Sequence, residues 1–368
     1  MNSSLLPASE FRQVVLNQIP ILDVRAPVEF QAGAIPGSLN QPILNNEERA
    51  EIGTLYKAKG QEAAIQRGFE LVSGSTKEER LQKWHKTLLA HPEMLITCFR
   101  GGKRSQIAQS WLAEAGLQRP RIDGGYKAFR QYLLTDLERL SQNRALLVIS
   151  GATGSGKSLA IKEAIKFRPT VDLESYAHHR GSAFGGYGDE QPSQIDFENR
   201  LSAELIRIEA QKDPRHLVVE DESRLIGKCA QPESFFLSLR ASPIVFIDEP
   251  LKSRVDVTYQ EYILNSDLGQ GSTEKGLVVF ERFQKSLQSI ARKLGGLQFA
   301  ILEKDLQNAK EAFLSQNDLE PNRLWIEKLL KDYYDPMYFG SIKKRDPKVL
   351  FKGSRREVIE FLNASKAE

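Results

Sequence analysis

Short apolar runs alternate with turn clusters and amphipathic stretches along the first third of the chain. PILDV, residues 20–24, is an apolar run stopped by Arg25, and GAIPGSLN, residues 33–40, is turn chemistry. MLIT, residues 94–97, reads as a second buried strand ending at Cys98. SQIAQSWLAEAGL then sets Ile107, Trp111, Leu112 and Ala115 at helical spacing, with Gly116 where a helix stop belongs. RIDGGYKAF adds a short strand edge and a double-glycine turn. Strand, turn and helix in repetition predict an α/β domain with a mostly parallel sheet. Residues 46–91 interrupt the pattern as a helical insertion that packs over the sheet or borders an active site. Ser75 or Thr76 is its expected N-cap, with Glu78 or Glu79 closing a capping box.

The second half repeats the logic. ALLVIS, residues 145–150, is a strand that runs into GATGSGKS and then the helical LAIKEAIKF. HLVVEDES (216–223) and PIVFIDEP (243–250) are two more apolar runs that end in acids, which predicts a second parallel α/β sheet. After residue 260 the pattern turns mainly helical, with RFQKSLQSIARKLGG and NRLWIEKLLKDYYDPMYFG as long amphipathic segments. ERLSQNR, residues 138–144, is a short polar joint. The expected division is therefore 1–140 with its insertion at about 46–91, 141–330, and a helical, basic C-terminal segment 331–368.

Composition narrows the class. With 368 residues the chain is too long for one ordinary core, and 40% hydrophobic with 27% charged residues is normal for a soluble globular protein. Two cysteines, Cys98 and Cys229, build no disulfide framework, which predicts a reducing cytoplasm. MNSSLLPASEFRQVV lacks a basic start followed by an apolar run, so no signal peptide is expected. No stretch approaches the ~20 apolar residues that cross a bilayer. The net charge of +3 hides one strongly basic run, IKKRDPKVLFKGSRRE, read either as a solvated face or as a contact to a phosphate backbone.

GATGSGKS matches G-x-x-x-x-G-K-[ST] in full between a strand and a helix, the context the motif demands. Gly151, Gly154 and Gly156 let the backbone, through Thr153 and Ser155, form a nest of N–H groups for phosphate oxygens. The helix N-terminus and Lys157 add positive charge, and Ser158 is placed to ligate Mg²⁺ if a metal accompanies the phosphates. The partner acid is Glu220 or Asp221 after one run, or Asp248 or Glu249 after the other. Such a loop reports diphosphate binding, not ATP hydrolysis. HHRGSAFGGYG, residues 178–188, suits a mobile loop that closes on a phosphate or stacks on a base, or else a plain surface loop. His178 and His179 lack further ligands at metal spacing, so no zinc site is expected.

Cys98 ends a strand and opens a loop holding Arg100, Gly101, Gly102, Lys103 and Arg104. Backbone amides, a helix N-terminus and three cations around one sulfur favour the reactive thiolate. Cys229, with one lysine nearby and no such loop, reads as structural. Two chemistries use a Cys-x5-Arg loop: a sulfurtransferase that carries a chalcogen on the cysteine, and a phosphatase that forms a phosphocysteine clamped by arginine. Thr97 rather than His before the cysteine, and no acid within the loop, lean towards sulfur transfer.

LDVRAPVEFQAGAIPGSLNQPI, the CFRGGKRS loop and IDGGYKAFR together resemble a rhodanese domain, with Cys98 on the persulfide-bearing position. Joined to a P-loop domain that contains GSAFGG and VVEDESRLIG, the arrangement resembles the tRNA 2-selenouridine synthase family over about residues 10–340. The resemblance implies an N-terminal rhodanese-like α/β domain with a helical insertion and a C-terminal P-loop α/β domain with a helical tail. It further implies a cytoplasmic transferase acting at the wobble 2-thiouridine of tRNA, replacing sulfur by selenium from selenophosphate. S-geranylation from geranyl diphosphate is associated with the same sulfur. On that reading Cys98, Arg100 and Arg104 handle the chalcogen, and Gly151–Ser158 hold the prenyl diphosphate. Arg180, Phe184, Tyr187 and Tyr176 are candidates to contact the tRNA base. No tightly bound cofactor or membrane partner is implied, and Mg²⁺ at the P-loop stays open. The alternative is a sulfurtransferase or Cys-x5-Arg phosphatase fused to an ATP-hydrolysing, kinase-like P-loop domain.

Overall fold

The computed structural model describes residues 4–270 and 272–365. The chain forms two compact units: the sequence up to Leu140 together with Ser193–Gln211, and Ser141–Pro192 together with the sequence from Lys212 onward.

In the first unit, β1 (Leu5–Leu6), β2 (Ile21–Asp23), β3 (Ser38–Asn40), β4 (Leu95–Thr97) and β5 (Arg121–Ile122) form one parallel sheet in the order β1-β5-β4-β2-β3. β2 and β4 are the unbroken apolar runs of the sequence, and every residue in both is buried, as central parallel strands require. The insertion is a helix Asn46–Leu71, kinked at Gly60 (φ 83°), followed by a helix Gly74–Ala90. It covers the sheet as expected. Trp84 stacks on Trp111 with ring centroids 6.1 Å apart, and Val72, Trp84 and Leu88 share a core with Leu22, Val24 and Ile96. The second of these helices starts earlier than the capping pattern indicates. Its N-cap is Ser73, whose hydroxyl donates to Glu70 O at 2.9 Å, so Ser75 and Thr76 lie inside the first turn.

One helix, Gln194–Ala210, belongs to this unit although its sequence lies deep in the stretch expected to form the second domain. Its apolar face, with Phe197, Leu201, Leu205 and Ile206, is buried. Polar contacts fix its position: Ser202 Oγ donates to Leu133 O at 2.6 Å, and Asn199 Nδ2 donates to Ala34 O at 2.7 Å. Asp196 accepts the Ala34 amide at 2.8 Å, and Arg130 reaches Asn199 Oδ1 at 2.6 Å and the Glu198 carboxylate.

In the second unit, β6 (Leu146–Ser150), β7 (Thr170–Val171), β8 (Leu217–Glu220), β11 (Ile244–Ile247) and β12 (Val349–Gly353) form a parallel sheet in the order β12-β11-β6-β8-β7. β9 (Leu225–Ile226) and β10 (Cys229–Ala230) make a small antiparallel pair, and Cys229 is buried. β12 and the helix Arg355–Ala364 come from the segment expected to be a basic tail. They complete the core instead: Val358 and Leu362 pack with Leu147 and Ile149, and Phe351 stacks on Phe361 at 4.7 Å. A helical lobe gathers Phe280, Phe283, Phe313 and Trp325 around a separate core. Among the described residues no helix is long and apolar enough to cross a membrane.

Leu201→Ala removes a fully buried side chain from the helix that completes the first unit. Denaturant unfolding of the full chain should show a loss of about 2–5 kcal/mol. A fragment ending at residue 140 lacks that helix and should give no cooperative thermal transition by circular dichroism.

Candidate functional site

Cys98 follows β4, whose neighbours β2 and β5 lie on either side, and the chain then turns into the helix Lys103–Glu114. The thiol is 3% exposed and donates to Ser105 Oγ at 3.2 Å, which in turn donates to Gly102 O at 3.1 Å. The loop's carbonyls are taken up from behind. Tyr126 N donates to Cys98 O and Lys127 N to Phe99 O, each at 2.9 Å, and Arg121 Nη1 donates to Gly101 O at 2.7 Å. The amides of Phe99, Arg100, Gly101 and Gly102 have no acceptor among the described residues. That is the wiring of an anion nest beside the sulfur. The double glycine of IDGG makes it possible: Gly125 has φ 62°, and a Cβ there would collide with Gly101 N and Cys98 O.

The cations around the sulfur have different fates. Arg100 is exposed, its guanidinium 5.9 Å from the Phe99 ring. Arg104 donates to both oxygens of Glu29, at 2.5 and 3.1 Å. Burial opposes ionisation of Glu29, but these hydrogen bonds and the Arg104 charge outweigh it and hold the carboxyl below its ordinary range. The Asp23-Val-Arg25 triplet, read from sequence as a strand end within the rhodanese resemblance, supplies a buried brace. Arg25 pairs with Asp23 at 2.7 Å, donates to Glu29 O and Gly33 O, and lies 3.9 Å from the Tyr126 ring centroid.

In the second unit β6 runs into Gly151–Gly156 and the helix Lys157–Ala164, with Gly154 and Gly156 at φ 82° and 83°. A cavity of about 680 Å³ opens there, lined by Thr153, Gly154, Gly156, Lys157 and Ser158 of the loop. Gly151 and Ser155 lie behind it: the Gly151 amide donates to Tyr338 Oη at 2.6 Å, and Ser155 is buried. Lys157 Nζ rests on Gly151 O at 3.2 Å, and Ser158 Oγ donates to Glu174 at 2.5 Å.

Of the four candidate acids, only Asp221 lines the cavity, together with its unpredicted neighbour Glu222. Glu220 is buried beneath, accepting the Glu174 amide at 2.8 Å, and burial, then the charges of Asp172 and Glu174, push its carboxyl well above the usual range. Asp248 is not brought to the loop but pairs with Lys352 at 2.9 Å. Glu249 accepts the Arg355 amide and the Ser253 hydroxyl, at 2.9 and 2.8 Å. A strand-end acid beside a P-loop strand is legible in sequence, but its partners on distant segments are not.

The 178–188 segment is anchored rather than free. Arg180 N donates to Gly185 O at 3.0 Å, Ser182 Oγ meets Tyr262 Oη at 2.9 Å, and Ala183 N donates to Tyr334 Oη at 3.1 Å. Phe184 is the anchor itself, buried 5.5 Å from the Trp325 ring, so it is a core residue and not a base contact. Arg180 and Tyr187 do line the cavity, with the Arg180 guanidinium 4.0 Å from the Tyr187 ring and 4.9 Å from that of Tyr262. Of the basic run near the C-terminus, Arg345 is buried against Asp221 at 2.9 Å, whereas Lys343, Lys344, Lys348, Lys352 and Arg356 are exposed, Lys352 pairing with Asp248 at the surface. Tyr338, Arg345 and Glu174 carry no motif signal and are found only from the structure; Glu222 lies within VVEDESRLIG but is not singled out there.

A family model described as the tRNA 2-selenouridine synthase AAA domain matches residues 144–368, and a rhodanese-like domain model matches 8–132. Proteins named tRNA 2-selenouridine synthase are similar along their whole length. That of Nitrosomonas eutropha is 44% identical, covering 100% of this chain and 99% of its own, and that of Bdellovibrio bacteriovorus is 45% identical, covering 99% and 100%. The chain belongs to the tRNA 2-selenouridine synthase family. In this member, the cysteine loop and the P-loop each sit at the C-terminal end of a central parallel strand, where the strand order runs off in both directions, as ligand sites of such sheets do.

Burial first, then the Glu174 charge, push Glu222 up to about 8, with Lys157 pulling the other way. The folded protein therefore keeps a proton that the unfolded chain gives up near the ordinary glutamate value. The stabilisation this represents is complete at low pH and is lost as pH rises from 4.5 to about 8. Thermal midpoints measured between about pH 5 and pH 9 should fall across that window, and Glu222→Gln should make the fall shallower.

Proposed function

We propose that this protein is a cytoplasmic tRNA-modifying transferase that converts wobble 2-thiouridine to 2-selenouridine, with selenophosphate as the selenium source. The observation that carries the reading is the pairing, in one family member, of a thiol ringed by unbonded amides with an intact P-loop. The P-loop amides and Lys157 hold the diphosphate of geranyl diphosphate. The 2-thio sulfur attacks the first carbon of the geranyl chain, the bond from that carbon to oxygen breaks, and diphosphate leaves with its charge held by the nest. The selenium of selenophosphate then adds at C2 of the base, the bond from C2 to sulfur breaks as the geranyl thiolate departs, and water cleaves the phosphorus–selenium bond to release phosphate. Cys98 handles the chalcogen, its negative charge met by the amides of Phe99–Gly102, with Arg100 exposed at the rim and Arg104 fixing the loop through Glu29. Arg180 and Tyr187, which line the cavity with the Arg180 guanidinium laid on the Tyr187 ring, meet the flipped base. The substrate is bound mainly through phosphates of the anticodon arm.

Purified protein incubated with 2-thiouridine tRNA, geranyl diphosphate and selenophosphate should yield 2-selenouridine, seen by weighing the digested nucleosides. Cys98→Ala should abolish selenium incorporation. Lys157→Ala should weaken geranyl diphosphate binding about 10- to 100-fold, the worth of one charge-assisted contact. Full selenation by Cys98→Ala would refute the role given to the thiol.

Binding of the tRNA should fall with salt, log affinity losing about 0.7–0.9 per tenfold salt for each phosphate contact. A flat response in a filter-binding titration would remove the anticodon-arm assignment.

A further inference from the structure

In a nucleotide-hydrolysing P-loop enzyme, the acid that ends the neighbouring strand is kept available for a metal-bound water, and the loop's Ser or Thr hydroxyl ligates the metal. Here both groups are committed elsewhere. Asp221 Oδ1 accepts from Arg345 Nη1 at 2.9 Å, with Arg240 a further 3.8 Å neighbour, and Asp221 Oδ2 accepts from Ser150 Oγ at 2.5 Å. The Asp221 and Arg345 side chains are 5% and 4% exposed, so each is the other's internal counter-ion. Arg345 is held in turn by the carbonyls of Arg240 and Leu239, at 2.9 and 2.8 Å. Ser150 Oγ also meets Tyr338 Oη at 2.6 Å, which closes a network from the helix Asp335–Arg345 to the first amide of the P-loop. Ser158 Oγ donates to Glu174. The two side chains the motif would offer to Mg²⁺, Asp221 and Ser158, are thus both engaged within the protein.

We propose that Asp221 serves the fold as the fixed counter-ion of Arg345, and that the P-loop binds a diphosphate group through its amides and Lys157 without needing a divalent cation. This rests on the reading above that the P-loop holds a diphosphate. Removing one partner of such a buried pair strands the other's charge, whereas removing both does not. A metal-holding aspartate would behave differently, since its loss would not be repaired at Arg345.

The test is calorimetric titration of the full chain with inorganic pyrophosphate, in EDTA and in Mg²⁺, alongside thermal melting. Wild-type protein should bind pyrophosphate in EDTA, and Lys157→Ala should lose at least about tenfold in affinity. Arg345→Gln should lower the melting midpoint, and the Asp221→Asn, Arg345→Gln double variant should recover it while keeping pyrophosphate affinity within about threefold of wild type. Binding that appears only with Mg²⁺ overturns the proposal, as does a folded double variant whose affinity falls tenfold or more. No binding in either buffer overturns the diphosphate reading of the P-loop along with it, so the two failures are told apart.

Discussion

A parallel strand that ends in the interior of a sheet hands the chain to a loop whose amides no neighbouring strand can take up. β4 and β6 are both such strands, and each passes directly into a glycine-bearing loop and a helix N-terminus. The unmet amides are the raw material of both sites. In the cysteine loop the carbonyls are drawn off by Tyr126, Lys127 and Arg121, so the donors stay in excess around the sulfur. In the P-loop the amide of Gly151 is taken by a tyrosine hydroxyl and that of Ser155 by Ala152 O at 3.0 Å, while those of Thr153, Gly154 and Gly156 are left to the cavity. Topology thus fixes where anions bind in each unit. The residues placed in the loops, a thiol in one and Lys157 in the other, decide what is done with them.

Charge count alone misjudges both places. Three cations follow Cys98 in sequence, but Arg104 is neutralised by Glu29, while Arg100 stands in solvent. The P-loop cavity is balanced as well, with Lys157, Lys162, Arg180, Arg224 and Arg240 facing Asp172, Glu174, Asp221, Glu222 and Glu261. Asp221 alone among these acids is matched by a buried guanidinium. Burial raises the carboxyls of Glu174, Glu220 and Glu222 above the ordinary glutamate range, which disfavours negative charge next to the phosphate site.

What was legible in the sequence is what is local. The apolar runs at 20–24, 94–97, 145–150, 216–220 and 243–247 became central strands, and both chemical loops were recognisable because strand, glycines and helix follow one another without a gap. The helix Gln194–Ala210 was not read from the sequence, either as a helix or as part of the first unit, and the partners that define its place, among them Ala34, Arg130 and Leu133, lie far back in the chain. Phe184 looked exposed because its neighbours are glycine and serine, yet its environment is Trp325 and Phe283. Lys352 and Arg345 hid a strand and a buried ion pair inside what reads as a solvated basic run.

That basic segment also resolves a difficulty in the P-loop itself. A loop rich in glycine has little conformational preference of its own, so amides aimed at a phosphate must be held there by something else. The C-terminal segment does the holding. Asp335 fixes Arg254 through two bonds of 2.6 and 2.7 Å, and Arg254 donates to Thr153 O at 3.2 Å. Tyr338 takes the Gly151 amide, and the Arg355 guanidinium lies so close to Gly156 that a Cβ there would sit 2.6 Å from Nη1. Three points along the loop are therefore braced by residues about 100 to 200 positions away in sequence, mostly through the loop's backbone. A motif match identifies the loop because its side chains are local, whereas its rigidity is a property of the whole unit and depends on Asp335, Tyr338 and Arg355.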